Sequence, residues 1–213
     1  MKKGIIFDMD GTLWDSAEGV AGSWTKVVRE DYPDFPEITK EDIQAVMGKT
    51  MDVIAKILFH GLPEAEQMQL LDRCGEYEND YLAEHGGILY PDVEATLKIL
   101  KEHYNLYIVS NCQSGYIEAF LQFYDFENYF EDIECYGNNQ LGKGDNIRLV
   151  VERNHIDRAV YLGDIQGDYD AATEAGIAFI HAAYGFGTIN KEVPHIDSFR
   201  ELPQAVKNIL DIV

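Results

Sequence analysis

Residues 4–16 read GIIFDMDGTLWDS: apolar residues run straight into two aspartates flanking a methionine, followed at once by glycine and threonine. A near-continuous apolar run of this length is the pattern of a strand buried on both faces, as in parallel sheets covered by helices. Similar runs stand at 106–109 (LYIV), 133–136, 159–162 (AVYL) and 178–181. Between and after the later ones lie helix-spaced apolar sets: Val93, Leu97, Leu100; Ile117, Phe120, Leu121, Tyr124; Ile147, Val150, Val151; and Leu202, Val206, Ile209, Leu210, Val213. Strand alternating with helix predicts an α/β chain, a Rossmann-like, doubly wound parallel sheet.

One stretch breaks the alternation. Residues 16–85 carry only helix signals, with one stripe at Val53, Ile54, Ile57, Leu58 and another at Leu70, Leu71, Cys74, Tyr77, Tyr81. A crossover between parallel strands needs a single helix, so roughly 70 helical residues read as an inserted α-helical cap domain. The expected division is a core of residues 1–15 and 86–213 and a cap of residues 16–85.

Composition limits the function. The 213 residues are 46% apolar, with 13 Tyr and 10 Phe, which fits a folded globular chain. Lys and Arg total 17 against 38 Asp and Glu, a net charge of −21. Such a field repels nucleic-acid polymers and anionic membrane surfaces, so neither is expected as a partner. The three cysteines, Cys74, Cys112 and Cys135, show no metal or disulfide pattern, and no apolar run reaches membrane-spanning length, so a reducing, cytoplasmic setting is expected. The sequence sets no oligomeric state beyond a monomer or a weak dimer.

In open α/β sheets ligands bind beyond the carboxyl ends of the strands. Asp8 and Asp10 sit there after the first strand, Ser110 and Asn111 after LYIV, Asp164 after AVYLG with Asp168 one turn on, and Lys143 in LGKGDN before that strand. Carboxylates gathered this closely repel unless a cation lies between them, and an oxygen-only donor set suits Mg²⁺. A carboxylate can also attack phosphorus and form an aspartyl-phosphate. Asp8 is the candidate nucleophile and Asp10, two residues on, the candidate acid and base. Gly11 lets the backbone turn tightly around a phosphoryl group, with Thr12 and Asn111 as further substrate-binding candidates.

These residues carry a family resemblance. FDMDGT at 7–12, VSN at 109–111, Lys143 and GDIQGDYDAATEAG at 163–176 resemble, in order and spacing, the haloacid dehalogenase-like hydrolases, in the phosphatase branch with a helical cap after the first strand. That branch includes phosphoglycolate phosphatases and β-phosphoglucomutases. The resemblance implies Asp8 as nucleophile, Asp10 as acid/base, and Ser110 and Lys143 as phosphate holders. It also implies Mg²⁺ on the Asp8 carboxylate, the Asp10 backbone carbonyl and Asp164, with Asp168 in support. Relatives often have Lys-Pro-x-Pro where this chain has GKGDN.

The string MGKT at 47–50 invites a nucleotide-binding reading, but Ile43 stands where a P-loop needs its first glycine. The capped branch instead suggests that Lys49 and Thr50 meet substrate; the alternative for Thr50 is the N-cap of the next helix. The expected function is a Mg²⁺-dependent phosphomonoesterase acting on a small phosphorylated metabolite. The alternatives are a sugar-phosphate mutase and a non-enzymatic phospho-acceptor signalling module. The latter, however, carries its acceptor on a third strand of a shorter chain.

Overall fold

The computed structural model describes residues 1–211. Val213, the last member of the predicted C-terminal stripe, lies outside them. In chain order the elements are β1 (Lys3–Phe7), β2 (Trp14–Asp15), α1 (Ala17–Asp31), α2 (Lys40–Val46), α3 (Met51–Leu58), α4 (Glu64–His85), β3 (Ile88–Leu89), α5 (Val93–Lys101) and β4 (Asn105–Ser110). Then follow α6 (Tyr116–Tyr124), β5 (Asp132–Cys135), α7 (Tyr136–Asn139), α8 (Lys143–Arg153), β6 (Arg158–Gly163), α9 (Gln166–Ala175), β7 (Ala178–Ala182), β8 (His195–Ile196) and α10 (Leu202–Leu210).

Six parallel strands form one sheet in the order β5-β4-β1-β6-β7-β8, with β1 central. Side chains alternate across a strand, so Ile5 and Phe7 enter one apolar cluster with Leu97, Leu202 and Val206, while Ile6 enters the other with Ile147, Val150 and Ala172. Helices thus cover both faces, which is why β1 is apolar throughout. The doubly wound α/β core follows.

The four helices α1 to α4 form the inserted cap, and at its base β2 and β3 pair as a two-residue antiparallel ribbon. This ribbon and β8 are too short for periodicity to reveal. Two expected stripes are corrected. On α4 the buried face runs through Leu70, Leu71, Cys74, Glu78 and Leu82, with Tyr77 and Tyr81 half-buried, because α4 presents its i, i+4 row to the neighbouring elements. On α3, Ile54 and Ala55 are buried while Val53 and Ile57 are exposed. Among the described residues no helix is long and apolar enough to cross a membrane.

Candidate active site

Two adjoining clefts meet where the strand ends face the cap. They share Asp10, Met47 and Gly48.

The narrower cleft holds an acidic cluster. Asp8 follows β1 directly and is 3% exposed, its N–H donating to the Leu162 carbonyl at 2.9 Å. Lys143 is the first residue of α8. Its buried ammonium donates to Asp8 Oδ1 at 2.9 Å and to Asp168 Oδ1 at 2.6 Å. The other oxygen of Asp168 accepts the N–H groups of Asp164, at 3.0 Å, and Ile165, at 3.1 Å. Asp168 therefore fixes both the lysine and the loop that opens α9. Asp164 Oδ2 accepts the Phe186 N–H at 2.8 Å, whereas its Oδ1 is buried without a partner. Gly11 has φ of +81°, and a Cβ there would collide with the Asp164 carboxylate, so the turn after Asp10 requires glycine.

One oxygen from each of Asp8, Asp164 and Asp168 lies within 4.8 Å of the others. Three carboxylates against one ammonium leave two negative charges buried. Burial, then the charge of Asp168, pushes the Asp8 pKa up to about 7, with Lys143 pulling the other way. Burial, then Asp168 and Asp8, pushes Asp164 up to about 8. For Lys143 burial opposes the charged form, but Asp168 and Asp8 outweigh it and the pKa rises. An unpartnered carboxylate oxygen in an all-oxygen cluster with this charge excess fits a hard divalent cation. Both oxygens of Asp168 are already engaged, so the donors best placed for it are Asp8 and Asp164.

Asp10 faces the wider cleft. Its Oδ1 accepts from the Ser16 hydroxyl at 2.6 Å, and the Tyr116 hydroxyl lies 2.8 Å from Oδ1 and 2.9 Å from Oδ2. Burial raises its pKa to about 6, against the pull of the Ser16 and Tyr116 hydrogen bonds. Ser110, the buried last residue of β4, and Asn111 line the same cleft. Asn111 Nδ2 donates to the Gly48 carbonyl at 2.8 Å, tying the cap loop to the core. Lys49 lines the cleft with its side chain exposed.

Two candidates lie elsewhere. Thr12 is fully buried and lines neither cleft; its carbonyl accepts the Tyr184 hydroxyl at 2.8 Å. Thr50 occupies the N-cap position of α3, without a side-chain cap bond, and also lines neither cleft. Sequence reasoning missed Ser16, Tyr116 and the buried Glu78, which also lines the wider cleft. Ser16 lies six residues from Asp10 just past a turn, which offered a weak signal; the other two had none.

This arrangement is that of a capped α/β hydrolase with a buried acidic centre. The haloacid dehalogenase-like hydrolase model matches residues 5–182, and the chain belongs to that family. A phosphoglycolate phosphatase from Vibrio vulnificus (strain YJ016) is 30% identical over 194 residues, covering 85% of this chain and 84% of that protein. One from Escherichia coli (strain K12) is 25% identical over 213 residues, covering 86% and 82%. Among solved structures, a predicted phosphoglycolate phosphatase from Haemophilus somnus 129PT superposes with a TM-score of 0.81 at 23% identity, covering 95% of this chain and 97% of that one. At that identity the likeness speaks for the fold.

Proposed function

We propose that this chain, a phosphoric monoester hydrolase by family, is a Mg²⁺-dependent phosphatase of a small phosphorylated metabolite that works through an aspartyl-phosphate on Asp8. The observation that carries the reading is the pair of contacts from Lys143 to Asp8 and Asp168, with the unpartnered Asp164 oxygen alongside.

In the first half-reaction an Asp8 oxygen attacks phosphorus, and the bond to the leaving alkoxide breaks as Asp10 gives that oxygen a proton. In the second, Asp10 takes a proton from water, the water oxygen attacks the same phosphorus, and the bond to Asp8 breaks to release inorganic phosphate. Ser16 and Tyr116 hold Asp10 in place for both transfers. Ser110 and Lys143 bind the phosphoryl oxygens, Lys143 neutralising charge as it spreads over them. Asp8, Asp164 and the Asp10 carbonyl would hold Mg²⁺, which supplies further neutralisation when bound. Asp168 supports from behind.

The cap, residues 16–85 on a core of residues 1–15 and 86–213, excludes water and reads the leaving group through the loop at Gly48. All these groups come from one chain, so a monomer or weak dimer suffices. The three free cysteines agree with a cytoplasmic setting.

The cap argues for hydrolysis over mutase chemistry. A mutase must hold a second phosphate, yet Lys40 pairs with Asp15 at 2.7 Å, Arg73 with Glu30 and Asp31, and Lys56 lies 3.9 Å from Asp52. Among the described residues Lys49 is the single basic residue lining the wider cleft. The test is to incubate the enzyme and Mg²⁺ with β-glucose 1-phosphate and a trace of the 1,6-bisphosphate, alongside a panel of small monophosphates. Free phosphate is expected from the panel; rapid isomerisation to glucose 6-phosphate with little free phosphate would overturn the reading.

A further inference from the structure

Glu78 is an acid that the phosphoryl chemistry above leaves unused. It sits on α4, is 3% exposed, and accepts the indole N–H of Trp24 from α1. Gln113, in the loop after β4, lies alongside it and favours its charged form. The same Gln113 amide donates to Asn79 Oδ1 at 3.1 Å, and Asn79 Nδ2 donates to the Ser114 carbonyl at 2.8 Å. The carboxyl is thus held where cap meets core, and Glu78, Trp24, Gln113 and Tyr116 all line the wider cleft next to Asp10.

Among the described residues no basic side chain pairs with Glu78, and Lys49, exposed, is the single basic residue lining this cleft. A carboxyl buried without a counter-ion resists ionisation, and burial pushes this one up to about 8. Nothing in the fold requires a carboxyl here: Trp24 and Gln113 would be met equally well by a neutral amide. What the position lacks is a cation, and the open side of the group is the cleft.

We propose that Glu78 recognises the leaving group of the substrate, and that this substrate is the phosphomonoester of a small amino alcohol, its ammonium paired with Glu78 while its phosphorus meets Asp8. The inference rests on the phosphatase reading and deepens it. An ammonium supplies the missing counter-charge and three donors. The cleft's free volume of about 60 Å³ limits the tail that bears it to a small one. A carboxylate tail, as in phosphoglycolate, brings no counter-charge to Glu78 and adds negative charge beside Asp10, with Lys49 the single basic residue lining the cleft among the described residues.

The test compares kcat/KM, with Mg²⁺, for three esters of similar size: O-phosphoethanolamine, 2-hydroxyethyl phosphate and 2-phosphoglycolate. The wild-type enzyme is expected to favour the ammonium ester over the carboxylate by at least about 10-fold, the scale of one ion pair of about 1.4 kcal/mol. Glu78→Gln, of the same shape, is expected to shrink that ratio about 10-fold. Calorimetric affinity of the inactive Asp8→Asn protein for O-phosphoethanolamine is expected to fall on adding Glu78→Gln. A ratio unchanged by Glu78→Gln, or a wild-type preference for phosphoglycolate, overturns the inference. If Glu78→Gln does not fold, the wild-type ranking decides alone. Hydrolysis of p-nitrophenyl phosphate by the wild type separates the two readings: with it, a preference for phosphoglycolate sinks the inference only; without it, the phosphatase reading falls too.

Discussion

The Tyr116 hydroxyl lies 2.8 Å from Oδ1 and 2.9 Å from Oδ2 of Asp10, although 106 residues separate them in the chain. Together with Ser16 it fixes the direction of the carboxyl proposed to move protons. Tyr116→Phe removes one hydrogen bond to a charged group, worth about 1.5 kcal/mol, so kcat is expected to fall roughly 10-fold. The loss should be large for alkyl phosphates, whose leaving oxygen needs a proton, and small for p-nitrophenyl phosphate, whose leaving group does not. Equal losses on both substrates would assign Tyr116 to packing alone.

Among the described residues Lys143 is the sole cation paired with Asp8 and Asp168, and all three are buried. Removing one partner of a buried ion pair leaves an uncompensated charge, at a cost of about 3–5 kcal/mol. Lys143→Met is therefore expected to lower the denaturation midpoint at neutral pH in metal-free buffer and to abolish turnover. Urea unfolding checks the first part; wild-type stability in the variant would contradict the pairing.

Asp8 and Asp164 are the proposed Mg²⁺ donors. EDTA should remove activity and added Mg²⁺ restore it, whereas Ca²⁺ should inhibit because its looser shell misplaces the nucleophile. Full turnover after thorough chelation would rule out a metal at this cluster.

Glu78 predicts a pH dependence of stability. Asp10, Tyr116 and Cys74 are the titratable groups around it, and burial holds its pKa at about 8 against an ordinary 4.5. The folded state then keeps a proton that the unfolded state releases. The contribution is fully present below about pH 4.5 and is lost as pH rises towards 8, by at most about 1.4 kcal/mol per unit. Glu78→Gln removes this slope, so the variant should gain on the wild type in urea melts from pH 5 to 8. Parallel curves would contradict the buried, unpaired state of Glu78.

The core was legible because its signals are local. Ile5, Ile6 and Phe7 are apolar in succession since both sheet faces are covered, and Asp8, Asp164 and Ser110 stand at strand ends where open sheets bind ligands. Tyr116 and Glu78 were not legible, since each acts on a partner from a distant element. In the acid-rich α4, Glu78 reads as one more solvated charge, and only packing against Trp24 and Gln113 buries it. Thr12 shows the converse: it sits inside the motif, yet its side chain turns into the protein.

A phosphoryl group carried by Asp8 is the proposed intermediate, and Asp10→Asn is the variant to expose it, because it keeps the proposed nucleophile while losing the group proposed to activate water. p-Nitrophenyl phosphate, whose leaving group needs no proton from Asp10, would be mixed with this protein and Mg²⁺, the reaction quenched in acid, and peptides spanning residues 4–16 weighed by mass spectrometry. The expected result is one added phosphoryl group on Asp8, absent from the Asp8→Asn, Asp10→Asn double variant. An unmodified Asp8 during continuing phosphate release, or wild-type rates in Asp8→Asn alone, would contradict the covalent mechanism.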